Sequence, residues 1–166
     1  LIDSKTRVLL IGYGNPGRLD DGLGPALIER LTGLDLPEVT VDSNYQLSVE
    51  DAAAVAEHDV VIFVDAAVKG PEPFFFCRIQ PKAATSFSSH SVEPAAVLAL
   101  AHELFQSKAR GYALGIRGHE FNEFGQWLGE RATANLEAAL EFIVPLLLSK
   151  DFETALTDDL SFADLN

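Results

Sequence analysis

Residues 8–24 carry the pattern that most narrows what this chain can fold into. Val8-Leu9-Leu10-Ile11 is a short apolar run of the kind buried on both faces of a sheet. It leads into Gly12-Tyr13-Gly14-Asn15-Pro16-Gly17, a turn. Asp20-Asp21-Gly22 follows, and a helical pattern begins. A strand that passes through a glycine turn into a helix is the opening unit of an open α/β sheet. Such sheets bind ligands beyond the carboxyl ends of their strands. Two adjacent acids at that place, where a phosphate site would have a lysine or a further glycine, point to a cation.

The rest of the chain repeats the alternation. Residues 22–32 read as a helix, with Leu23, Leu27, Ile28 and Leu31 at helical spacing and Gly33 as its stop; Pro25 fits the first turn. Residues 38–43 form a second strand and 49–57 an alanine-rich helix. Val60-Val61-Ile62-Phe63-Val64 reads as the central strand and ends on Asp65. Residues 69–73 are a turn, and 73–79 are a fourth strand at an edge. Residues 80–89 are a polar loop, 92–105 a helix and 111–116 a fifth strand. A polar and aromatic loop spans 117–125, and 130–148 is a last long helix that Pro145 kinks or ends. The expectation is a three-layer α/β fold: a mostly parallel, twisted sheet of about five strands with helices on both faces. Residues 1–150 make one domain. Residues 151–166, with five acids and no base, are expected to be a flexible tail.

A length of 166 residues, 48% of them hydrophobic, is enough for one domain with a core. The net charge of −13 repels nucleic acid and anionic membrane surfaces. Cys77, the single cysteine, excludes an internal disulfide; it follows three phenylalanines and reads as a buried strand residue. These features are expected of a cytoplasmic protein. No apolar run reads as long enough to cross a bilayer, and no signal peptide is apparent.

Three side chains share one topological address. Asp21 follows the first strand, Asp65 ends the central one, and His90 precedes the third helix. In a parallel sheet these points fall along one rim. Two carboxylates and an imidazole there suit a borderline divalent metal with positions left for a substrate. Each residue also has a plainer reading. Asp21 stands where a helix N-cap would, and His90 between two serines suits a surface. Asp65, after five apolar residues, needs a partner or a solvent-lined cleft. Asp20 is placed to hold the turn or to act from behind Asp21. His119 is placed to line the cleft, and Arg117 and Glu120 to pair with each other or with a peptide.

At this point the chain resembles a known family. Gly12-Tyr13-Gly14-Asn15, Asp20-Asp21-Gly22-x-Gly24, Val64-Asp65-Ala66, Ser89-His90 and Ile116-Arg117-Gly118-x-Glu120-Phe121, in that order, resemble the hydrogenase maturation endopeptidases across residues 7–148. The resemblance implies that Asp21, Asp65 and His90 bind nickel. That nickel belongs to the precursor of the large subunit of a nickel–iron hydrogenase, whose C-terminal extension the enzyme removes. It implies a cytoplasmic monomer with no organic cofactor and no nucleic-acid partner. Some members carry glutamate where this chain has Asp21, so the metal would sit slightly deeper here. Tyr45-Gln46-Leu47 resembles the members that serve soluble, NAD-reducing hydrogenases. The metal would fix the scissile bond, and it is open at this point whether it also polarises the carbonyl or activates water. Asp20, Asp21 and Asp65 are the candidate general bases.

Other readings compete. Gly12-x-Gly14-x-x-Gly17 has the spacing of a dinucleotide fingerprint, but Asp20 and Asp21 would face the pyrophosphate. The same opening resembles peptidyl-tRNA hydrolases, which the acidic charge opposes. A non-enzymatic metal or precursor-binding chaperone would use the same three ligands.

Overall fold

The computed structural model describes residues 5–84 and 92–157. Five strands form one sheet: β1 (Val8–Tyr13), β2 (Val39–Asn44), β3 (Val60–Ala67), β4 (Phe74–Ile79) and β5 (Arg110–Arg117). Their order is β2-β1-β3-β5-β4, with every pair parallel except β4 with β5. Helices α1 (Leu23–Leu31), α2 (Asp51–Ala56), α3 (Pro94–Phe105) and α4 (Glu130–Ser149) connect or follow them. The expected α/β class, strand count and edge position of β4 are all present.

Period-two alternation divides the core into two layers. Val8 and Leu10 join Val60, Ile62 and Val64 beneath α1 and α4. Leu9 and Ile11 join Val61 and Phe63 beneath α2 and α3. The strands are therefore apolar at successive positions because both faces are covered. Each fully buried aliphatic or aromatic side chain contributes on the order of 1.5–3 kcal/mol.

The crossover after β1 leads outward to β2, whereas β3 lies on the other side of β1. The carboxyl ends of β1 and β3 thus flank a switch point, where an open sheet leaves a crevice. The first turn of α1 rests on these ends. A Cβ on Gly24 would lie 2.6 Å from the carbonyl oxygens of both Tyr13 and Val64, so only glycine permits this approach.

Two expectations from sequence change here. The packed chain continues beyond residue 150: Phe152 is buried against the Tyr112 ring, with centroids 5.5 Å apart. Thr157 pairs with the outer edge of β4, its Oγ1 accepting from Phe76 N at 2.9 Å and its N–H donating to Phe76 O at 2.7 Å. Residues 158–166 of the expected tail lie outside the described residues. Helix α4, at 20 residues and mean hydropathy 1.3, is long and apolar enough to cross a membrane by length and composition. Here Leu136, Leu140, Ile143 and Leu147 pack it into the core layer it shares with α1.

Candidate active site

β1 ends in a turn that a side chain would block. Gly14 has φ +139°, and a Cβ there would meet Asp21 O at 2.1 Å. The turn then closes on itself. Asn15 Oδ1 accepts from Gly17 N at 2.8 Å, and Asn15 O accepts from Arg18 N at 3.0 Å. A 3₁₀ turn over Leu19–Gly22 carries the two acids in opposite directions.

Asp21 does not cap α1, whose N-cap, Gly22, has no side-chain bond. Its Oδ2 accepts from Asn15 N at 2.8 Å, which turns the half-buried carboxylate back over the end of β1. This arrangement also bears on the dinucleotide reading: an amide of the glycine turn is already taken by a carboxylate where a phosphate would dock.

Asp20 is fully buried. Its Oδ2 accepts from the amides of His119 and Glu120 at 2.7 and 2.8 Å, and its Oδ1 from Gly129 at 2.8 Å. Backbone pairs between Leu19 N and Gly125 O (3.1 Å) and between Asp20 N and Glu120 O (2.9 Å) reinforce the join. Asp20 therefore organises the 118–129 loop beside the turn.

The central strand does not end on Asp65: pairing with β1 stops at Val64, while pairing with β5 carries β3 on to Ala67, so Asp65 stands just past the paired end of β1. In the parallel register Gly12 stands opposite Val64, so Tyr13 and Asp65 follow as neighbours on the face covered by α2 and α3. Asp65 Oδ1 accepts from Ala66 N at 2.8 Å. Burial pushes the Asp65 carboxyl up to about 7, and the nearby Asp21 charge adds to that; the Ala66 amide and the Tyr13 hydroxyl oppose it. Burial also raises the Tyr13 phenol well above its ordinary value, helped by the charges of Asp65 and Glu93.

Asp21, Asp65 and Tyr13 line one cleft of about 370 Å³, with Phe121 and Glu93 on its walls. Two of the three residues that the sequence places on one rim, Asp21 and Asp65, thus meet in one cleft. His90 lies outside the described residues. Among the described residues, no three His, Cys, Asp or Glu side chains come together as a metal-binding group.

Tyr13 and Glu93 were missed. The signal for Tyr13 was its alternation with Leu9 and Ile11, which puts it on a definite face of β1. Glu93 immediately precedes α3 yet makes no side-chain cap bond there, and it lines the cleft.

His119 is occupied elsewhere. Its Nε2 bonds Glu72 Oε1 at 2.7 Å; Glu72 also accepts from Asn135 at 3.0 Å and Arg131 at 2.8 Å. Asn135, His119 and Arg131 hold the Glu72 carboxyl down at about 2. Phe121, not His119, reaches the cleft. Arg117 donates to Gly70 O at 2.6 Å.

Comparison with known proteins gives a consistent result. No protein-family model and no curated protein sequence matches the chain. Solved structures do. The crystal structure of a [NiFe] hydrogenase maturation protease HycI from Thermococcus kodakarensis is 26% identical, covering 86% of this chain and 93% of its own, with a TM-score of 0.68. The hydrogenase maturating endopeptidase HybD from E. coli is 21% identical over 87% of this chain and 94% of its own, at a TM-score of 0.63. A hydrogenase 2 maturation peptidase from a Thaumarchaeota archaeon is 21% identical over 85% and 97%, at 0.62. The last two share the fold with this chain.

Proposed function

We propose that this chain, which belongs to the hydrogenase maturation proteases and is a peptide hydrolase, removes the C-terminal extension from the precursor of a nickel–iron hydrogenase large subunit once nickel has been loaded. The observation that carries this reading is the convergence of Asp21 and Asp65 on one cleft at the switch point of a sheet shared with HycI.

Nickel arrives as part of the substrate. Two half-buried carboxylates facing one cleft repel each other, and a divalent cation relieves that repulsion. Asp21 and Asp65 are the ligands on described residues, and His90 is the third. The precursor supplies the remaining positions, which makes the free enzyme a weak nickel binder. Docking through the metal fixes the scissile bond in the cleft and converts a bimolecular encounter into a positioned one. One of the two carboxylates then serves as general base to the attacking water, as in an aspartyl-type endopeptidase. Asp20 is not that base, because three amides already occupy its oxygens. Tyr45 is 72% exposed just past β2, and the resemblance of Tyr45-Gln46-Leu47 to members that serve soluble, NAD-reducing hydrogenases supports a partner of that kind. The enzyme works as a cytoplasmic monomer.

The test is a digest of large-subunit precursor with and without bound nickel, read by mass. Loss of the C-terminal peptide from the nickel-loaded form alone is the expected result. Equal cutting of both forms refutes nickel recognition; retained binding with no change in mass refutes proteolysis.

A further inference from the structure

We propose that the groove between α1 and the 124–128 stretch is a docking surface for the large-subunit precursor, which seats an apolar segment against Phe124 and Trp127 beside the cleft. This docking presupposes the precursor as substrate, as read above, and adds a second place of contact.

Phe124 and Trp127 are large apolar side chains left in water. They are 83% and 66% exposed, and neither ring joins a core layer of the described residues. Leu128, the next residue, packs against the layer shared by α1 and α4. The stretch thus has an inward anchor and outward rings. Behind them α1 and the glycine turn enclose a groove of about 410 Å³, with Pro16, Leu19, Pro25 and Ile28 among its walls.

The rings stand on a fixed backbone. Gly125 N donates to Gly17 O at 2.8 Å, and Leu19 N to Gly125 O at 3.1 Å. The Trp127 ring lies over Gly125, where a Cβ would come within 2.9 Å of its Cη2. The Arg18 guanidinium lies 5.6 Å from the centre of the Phe124 ring. Side chains already held in place lose little freedom when a partner covers them. Tryptophan and arginine in such settings carry much of the energy of protein interfaces.

Continuity with the cleft names the occupant. Gly22 lines the groove and Asp21 lines the cleft, and successive Cα atoms are about 3.8 Å apart. The loop is divided in the same way: Phe121 reaches the cleft, and Gln126 and Trp127 line the groove. A polypeptide that presents a bond to Asp21 and Asp65 therefore has its neighbouring surface against these rings. The rival occupant is a second copy of this chain. A net charge of −13 on each copy opposes that pairing. Contact away from the reacting bond holds substrate and transition state alike, so it acts on KM and not on kcat.

The experiment uses the full chain and nickel-loaded precursor. Trp127 is the single tryptophan, so enzyme labelled with 5-fluorotryptophan gives one fluorine signal. An excess of unlabelled precursor is expected to shift or broaden that signal while cleavage proceeds. Trp127→Ala and Phe124→Ala should each raise KM by about tenfold, with kcat within about twofold of wild type. Their thermal midpoints should match wild type, because both rings lie outside the core layers. Trp127→Phe keeps a ring at the groove and should hold KM within about threefold of wild type.

If wild type cuts precursor while the fluorine signal stays put, or while both alanine variants keep a wild-type KM, the docking surface is refuted and the protease reading stands. A loss confined to kcat refutes it too, since the rings then act through the cleft. If wild type neither cuts the precursor nor responds to it, the partner is wrong and both readings fall. A signal that moves with enzyme concentration alone puts a second copy on the groove and overturns the proposal.

Discussion

Asp65 is held against its own charge. Burial and the neighbouring Asp21 keep its carboxyl near 7, against 3.8 for an ordinary aspartate. Between about pH 4 and pH 7 the folded chain retains a proton that the unfolded chain has lost, so stability declines as pH rises through that window and stays lower above it. Asp65→Asn removes the penalty. The variant should melt with wild type near pH 4 and above it at pH 8, by up to about 4 kcal/mol, while processing is abolished. Thermal unfolding across pH checks this, and identical midpoints at pH 8 would contradict it. Position along the chain was enough to mark Asp21 and Asp65, because acids at the carboxyl ends of strands share a rim in any parallel sheet. It did not separate Asp20 from Asp21. The two are adjacent in sequence, and only the 3₁₀ turn decides that one is buried beneath a loop and the other faces a cleft. Tyr13 escaped notice because its importance comes from the register of β1 against β3, which no local pattern encodes.

Among the elements, the loop over residues 118–129 depends most on distant partners. Its backbone hangs on Asp20, about a hundred residues earlier in the chain, and its His119 on Glu72. The sequence marked the loop as unusually polar and aromatic but offered no means of pairing it, since such contacts carry no spacing rule. Asp20→Ala leaves the amides of His119, Glu120 and Gly129 without their acceptor in a buried place. The expected cost is about 3 kcal/mol or more in urea denaturation, with faster hydrogen exchange at those three amides. A loss below about 1 kcal/mol would show that the loop finds other acceptors. Phe121 reaches the cleft from this loop, so processing should weaken as well.

Over the whole molecule, the alternation of strand and helix sufficed for the class and for the parallel core, because each crossover needs a helix to return the chain. The place of β5 between β3 and β4 was not readable; it follows from which apolar faces find each other once all strands exist. Residues 151–157 depart from the expected tail for a related reason. They are polar on average, yet single residues such as Phe152 and Thr157 fasten them to the sheet. The layers meet closely where α1 begins, and the gap there leaves room for no more than a hydrogen atom in place of a side chain, as Gly24 has. A methyl group at that point acts as a shim. Gly24→Ala must lift the start of the helix off two carbonyls, and Asp21, three residues upstream, rides with it. The molecule would keep its composition of charges, its cleft-lining groups and most of its stability, yet cut precursor about a hundredfold more slowly, as expected for a misplacement near 1 Å. Tolerance of that alanine at full rate would mean that the width of the crevice is not gauged by this contact.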